Sequence, residues 1–166
     1  EAFGIIGANN MKLNIEQSLK AMGSDWNFTR FNMEIYQRVN TFYKRRFIPN
    51  ALDLRFNAGT YLGSLPVQKN GTLDAALGGF TPFGAFKAQQ YLPYEGASYI
   101  ALNAEHNFRS VPLELLGIPN VAKSGLSVIV FGGAGKTWIP SEQEAFFNQN
   151  LGRLPNTTGD TIHSEV

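Results

Sequence analysis

From Asn27 to Val39 the side chains alternate between two characters. Phe31, Met33, Ile35 and Val39 take one parity, and Arg30, Asn32, Glu34, Tyr36 and Arg38 take the other. Side chains of an extended strand point to opposite faces with period two, so this stretch predicts one strand with an apolar face and a wet, charged face. The run is longer than an ordinary globular strand and suits one tilted across a bilayer. This pattern constrains the fold more than any catalytic motif in the chain does.

The rest of the composition agrees with a wall of such strands. Charged residues make up 16% of the 166, well under the usual share, yet 17 Gly and 13 Phe are present. Porin-like barrels need that mixture, with apolar and aromatic residues on the outer face and polar residues within. A formal net charge of +1 supplies no long-range field toward nucleic acid. Without cysteine there is neither a disulfide framework nor thiol chemistry. No run reaches the roughly 18 apolar residues of a membrane helix, which leaves barrel strands open. No signal peptide is visible, and both ends read as cuts through a longer protein, with an alternating stretch starting near Val166.

Five strands are predicted. The first is Met11 to Lys20, with Met11, Leu13, Ile15 and Leu19 opposed to Lys12, Asn14, Glu16, Ser18 and Lys20. The second is the opening stretch, extended toward Tyr43 and followed by Lys44, Arg45 and Arg46. The third is Ala51 to Leu62, where Leu52, Leu54, Phe56, Ala58 and Leu62 oppose Asp53, Arg55, Asn57 and Tyr61. The fourth is Ser98 to Arg109, with Tyr99, Ala101, Asn103, Glu105, Asn107 and Arg109 on one face. The fifth is Gly125 to Ala134, apolar on both faces. Recurrence at i+2 rather than i+3 and i+4 excludes amphipathic helices, and the order is that of an up-and-down meander. Residues 63–97 form a long loop whose aromatics predict order, Val111 to Ile118 a short apolar connection, and 139–160 an exposed loop.

The chemical motifs are weak. Gly132-Gly133-Ala134-Gly135-Lys136-Thr137 resembles the end of a phosphate-binding loop, but Val130 stands where its first glycine belongs, and Pro140 breaks the helix such a loop feeds. We read it as a strand end whose glycines permit close chain approach. Gly4-Ile5-Ile6-Gly7-Ala8 lacks the spacing of a dinucleotide fingerprint. His106 and His163 have no cysteine or carboxylate cluster beside them, so no metal site is expected; His106 reads as an interface residue on an apolar face. No nucleophile elbow occurs. Sequons at Asn27, Asn70 and Asn156 matter only in a eukaryotic secretory context. The Arg30, Glu34, Arg38 face reads as lumen charges paired with neighbours such as Asp53, Arg55, Lys12 and Glu16.

Pro82-Phe83-Gly84-Ala85-Phe86-Lys87, Pro93-Tyr94-Glu95-Gly96, Ala104-Glu105-His106-Asn107-Phe108-Arg109 and Leu115-Leu116-Gly117-Ile118-Pro119 together resemble the C-terminal barrel of a Bacteroidota family. Its members place a carboxypeptidase-regulatory-like domain before an outer-membrane barrel, which is similar to the BamA-type surface-antigen superfamily. The resemblance covers most of 11–166. The Glu105 to Arg109 stretch looks like that superfamily's Glu-Tyr-Arg strand, and Gly84 to Tyr94 takes the place of its lumen-plugging loop. That loop carries an Arg-Gly-aromatic signature there; Ala85-Phe86-Lys87 stands here, with Lys87 as the cation.

The resulting expectation is an all-β chain, residues 1–166 forming part of a transmembrane outer-membrane barrel from antiparallel up-and-down strands. Lumen-facing candidates are Lys12, Glu16, Arg30, Glu34, Arg38, Asp53, Arg55, Glu105 and Arg109. Lumen-loop candidates are Phe83, Gly84, Phe86, Lys87, Tyr94 and Glu95. The resemblance implies protein insertion or translocation in the bacterial outer membrane, with no enzyme activity, cofactor, metal or nucleic acid. Its implied partners are outer-membrane lipid, the rest of the barrel chain, and other outer-membrane proteins or lipoproteins. The alternative is a soluble lipocalin-like barrel that binds an apolar ligand, with Leu52, Leu54 and Phe56 turned inward.

Overall fold

The computed structural model describes residues 9–42, 50–73, 75–76, 86–87, 94–150 and 163–165. Three long strands open the chain: β1 (Asn10–Ser18), β2 (Phe28–Asn40) and β3 (Ala51–Gly63). Four short ones follow within the long connection: β4 (Gly71–Leu73), β5 (Ala75–Ala76), β6 (Phe86–Lys87) and β7 (Tyr94–Gly96). Then come β8 (Ser98–Arg109), α1 (Val111–Leu115), α2 (Pro119–Lys123), β9 (Val128–Trp138), α3 (Ser141–Asn150) and β10 (His163–Glu165). One antiparallel sheet of six strands carries the fold, in the order β1-β2-β3-β8-β9-β10. Every neighbour in it is also the next long strand in the chain, so the meander expected from the sequence is present. The sheet is open, with β1 at one edge and β10 at the other.

Register explains how alternation on single strands becomes two faces of a sheet. Lys12 lies opposite Glu34, Glu34 opposite Asn57, and Asn57 opposite Ala101. One step along, Leu13 faces Met33, Met33 faces Ala58, and Ala58 faces Ile100. Polar residues therefore align in rows across the sheet, and apolar residues do the same on the reverse side. The β2–β3 pairing runs from Phe28 opposite Gly63 to Asn40 opposite Ala51 without a slip. At its end, Gly63 takes φ +89° and a Cβ there would strike the Asn27 carbonyl, while Ser64 N donates to that carbonyl at 2.9 Å. Only glycine turns the chain so tightly at that point.

Three expectations need correction. The last long strand is Val128–Trp138, not Gly125 to Ala134. Its glycine run is strand interior, with Gly133 opposite Asn103 and Gly135 opposite Ala101, because ladder hydrogen bonds need backbone and not side chains. Within 139–160, expected to be a loop, Ser141–Asn150 forms α3. The Pro140 carbonyl accepts from the Gln143 and Glu144 amides at 3.0 and 3.2 Å, and acids fill the first turn, so local capping starts a helix that has no apolar stripe to reveal it. Finally, the alternation of β8 breaks before its end. A bulge between Asn107 and Arg109 sets Asn107 opposite Ile129 and Arg109 opposite Val128, so strand parity no longer groups Arg109 with Glu105. Arg109 itself sits at φ +50°.

Among the described residues the main buried apolar cluster is small and off-centre. Phe28, Leu65 and Ala97 form it, with Tyr61 and Ile139 packed against them. All lie at one end of the sheet, where β2 and β8 begin and β3 and β9 finish. Nearby, Gln143 of α3 donates from Nε2 to the Leu65 carbonyl at 2.9 Å and pins the helix to this end.

Candidate functional site

Of the charged residues predicted for a lumen, Lys12, Glu16, Arg30, Glu34, Arg38, Asp53, Arg55 and Glu105 share the polar face, and Arg109, beyond the bulge, does not follow their parity. Arg55 donates through Nε to Glu34 Oε1 at 3.0 Å, and its Nη2 lies 2.9 Å from the same oxygen. The Tyr36 hydroxyl donates to Asp53 Oδ1 at 2.6 Å, and Arg38 Nε stands 3.7 Å from that oxygen. These pairs are directly opposite or diagonal across β2 and β3, the distance at which strand neighbours interact. Lys12 and Arg30 line a polar hollow of about 200 Å³ with Asn14, Asn32, Asn57 and Tyr99. Glu105 extends the row, lying opposite Asp53 in the β3–β8 pairing.

The connection between β3 and β8 crosses this charged face. Lys69 Nζ reaches β1 and meets Glu16 Oε1 at 2.6 Å. Further on, β4 lies against Tyr99. A Cβ on Gly71 would stand 2.5 Å from Tyr99 Cδ1, with Cε1 closer still. Beneath the same ring lies Gly59, where a Cβ would stand 2.6 Å from Tyr99 Cζ and 2.9 Å from Asn32 Oδ1. The Tyr99 ring is thus held between two glycines, and its hydroxyl crosses β3 to donate to Asn32 Oδ1 at 3.2 Å. On the next strand, Gly96 of β7 packs over Thr137, with a Cβ there 2.9 Å from Thr137 Cβ, and Thr137 is fully buried.

Cover over a polar face leaves amides without protein partners. Asn103 is 3% exposed, and neither its Nδ2 nor its Oδ1 bonds to the protein among the described residues. Both side-chain polar atoms of Asn70 share that condition. Groups of this kind are satisfied by water in folded proteins.

The reverse face is the opposite in character. Met11, Leu13 and Ile15 of β1 are 65%, 57% and 61% exposed, and Leu62, Ile100, Leu102, Val130 and Trp138 are exposed large apolar residues on the other strands. Lys136 is the charged exception, opposite Ile100 near the end of β9.

Of the loop candidates, Phe83 and Gly84 lie outside the described residues. Phe86 and Lys87 form β6, paired in parallel with Ala75 and Ala76 of β5. Tyr94 and Glu95 belong to β7 and stand opposite Leu73 and Thr72. Sequence reading missed Lys69 and the Gly59, Tyr99, Gly71 stack. Tyr99 carried the only usable signal, an aromatic in a polar row. Among the described residues no group of His, Cys, Asp or Glu is placed to hold a metal ion, and no helix is long and apolar enough to cross a membrane, which says nothing of a β-barrel. No family model matches the chain, and comparison with curated proteins and with solved structures finds no match.

Proposed function

We propose that this sheet is part of the wall of a transmembrane β-barrel in the bacterial outer membrane. Its apolar face meets lipid, its charged face lines the lumen, and the segment from Ser64 to Gly71 lies within that lumen. One observation carries the reading: the β3–β8 connection lies on the charged face, while large apolar residues of the reverse face such as Met11, Leu13, Ile15, Leu62 and Leu102 are exposed. A soluble sheet does the reverse, because burying apolar area is what stabilises it. β2 and β3 have 13 residues each. At roughly 3.3 Å per residue and a tilt near 45°, such strands reach about 30 Å, the thickness of the hydrocarbon core. Since membrane barrels have at least about eight strands, further strands must join the edges at β1 and β10.

The role we assign is insertion or translocation of other outer-membrane proteins, without covalent chemistry. It rests on the likeness of the Pro82 to Pro119 region to the surface-antigen superfamily. Two measurements test the two levels. Far-ultraviolet dichroism and size-exclusion chromatography are expected to show a folded, monodisperse β protein in detergent or lipid only. A monomeric fold in plain buffer would sink the membrane reading in favour of a soluble apolar-ligand barrel. Vesicles carrying the full-length protein are expected to speed the folding of an added denatured barrel protein over empty vesicles. Equal rates would remove the insertion role and leave the wall.

A further inference from the structure

The connection between β8 and β9 shows a cluster of large apolar side chains to its surroundings. Leu115 and Leu116 are 79% and 74% exposed, and Ile118, Val121 and Leu126 are exposed as well. Few charges dilute them. Glu114 is engaged by the Ser110 hydroxyl at 2.7 Å, and Lys123 ends α2.

The position of α1 relative to the two faces decides what this surface meets. His106 lies in the apolar row, opposite Leu52 and Val130. Its ring centroid is 3.9 Å from that of Phe108 and 5.9 Å from that of Phe42, and Thr41 Oγ1 lies 2.8 Å from its Nε2. Phe42 and Phe108 continue into an apolar cleft of about 340 Å³ completed by Val111, Pro112 and Leu115. The α1 turn therefore sits against the side of the sheet that bears Leu102 and Val130, away from the charged face. The cleft thereby joins the bare leucines of α1 to the apolar side of the sheet.

We propose that the β8–β9 connection is a membrane-interface foot, with α1 and α2 lying in the headgroup–acyl boundary and their leucines among the acyl chains. The inference rests on the lipid-facing reading of the sheet and adds a partner surface that the strands alone do not define. Short amphipathic elements bind there in proportion to the apolar area they bury. The occupant is bilayer lipid, because the exposed leucines continue an apolar face on which Leu62, Ile100, Leu102 and Val130 are exposed as well.

Tryptophan quenching by brominated lipids separates the foot from the wall. The native tryptophans are Trp26 and Trp138, and Trp138 lies opposite Ser98 in the apolar row of β9. With Trp26→Phe, and with any tryptophan outside these 166 residues likewise changed to phenylalanine, emission reports Trp138 alone and therefore the wall. Trp26→Phe with Trp138→Phe and Leu116→Trp reports the foot alone, at a position exposed enough to accept the larger ring. The full-length protein in phosphatidylcholine vesicles is expected to lose emission at both positions, and position 116 is expected to respond more to bromine near the headgroup than to bromine deep in the chain. Quenching at Trp138 but not at 116 overturns the foot, because another protein surface then covers the leucines, and spares the wall. No quenching at either position overturns the wall and the foot together. Quenching at 116 alone keeps the foot and overturns the spanning sheet.

Discussion

Tyr99 shows how one side chain ties a loop to a sheet. Its ring fills the space that Gly59 leaves on β3 and carries Gly71 of β4 on its other side. Gly59→Ala is expected to destabilise the protein by about 1–3 kcal/mol, the usual cost of forcing volume into a packed site. Equilibrium urea unfolding from micelles measures it. In a Tyr99→Leu background the same substitution should cost less, and a non-additive cycle identifies the ring as the obstacle. Lys69→Met, by contrast, should change stability by less than about 1 kcal/mol, because Lys69 and Glu16 are 44% and 39% exposed and solvent screens the pair. A larger loss in the same assay would mean the ion pair holds the loop. Alternation placed Tyr99 on its face, but it could not say that the ring would lie across a neighbouring strand. That depends on which residue a 40-residue separation brings opposite, and the register alone supplies Gly59.

At the scale of elements, the legible parts were those whose side chains repeat. β3 and β8 fall within a residue of their expected bounds because each must keep one face apolar over its whole length, whereas β2 ends at Asn40, short of the expected extension toward Tyr43. β9 was misplaced because glycine carries no face, and α3 was missed because its start is set by backbone caps while its surface has no apolar stripe. Opposed faces also make a sharp test on a single strand. Phe56 lies between Ile35 and Leu102, and its neighbour Asn57 lies between Glu34 and Ala101. Phe56→Arg is expected to lower stability in lipid vesicles by about 2–4 kcal/mol, the cost of an arginine on the lipid side near the bilayer centre. Asn57→Arg should be nearly neutral, since it places the cation on the wet face opposite Glu34. Equal losses at the two positions would contradict the assignment of faces.

The whole molecule inverts the usual relation between cover and polarity. Its β3–β8 connection makes its contacts on the charged side, while Met11, Leu13, Ile15, Leu62, Ile100 and Leu102 on the reverse side stay exposed. In the proposed setting each half has its solvent: lipid for the exposed apolar residues, and water in a narrow lumen for amides such as those of Asn103 and Asn70. The inversion holds only while the β3–β8 connection stays on the charged face, so its position is the quantity to measure. With no cysteine among these 166 residues, Glu16→Cys combined with Lys69→Cys, in a protein whose other cysteines are changed to serine, gives two unique thiols. In vesicles, a short bis-maleimide is expected to join them within one chain and shift its mobility on a denaturing gel. A control pair, Ile15→Cys with Lys69→Cys, should stay unjoined, because Ile15 belongs to the opposite face. Joining of the control as readily as the test pair would mean that the loop wanders around the sheet edge, and the charged face would then be open rather than plugged.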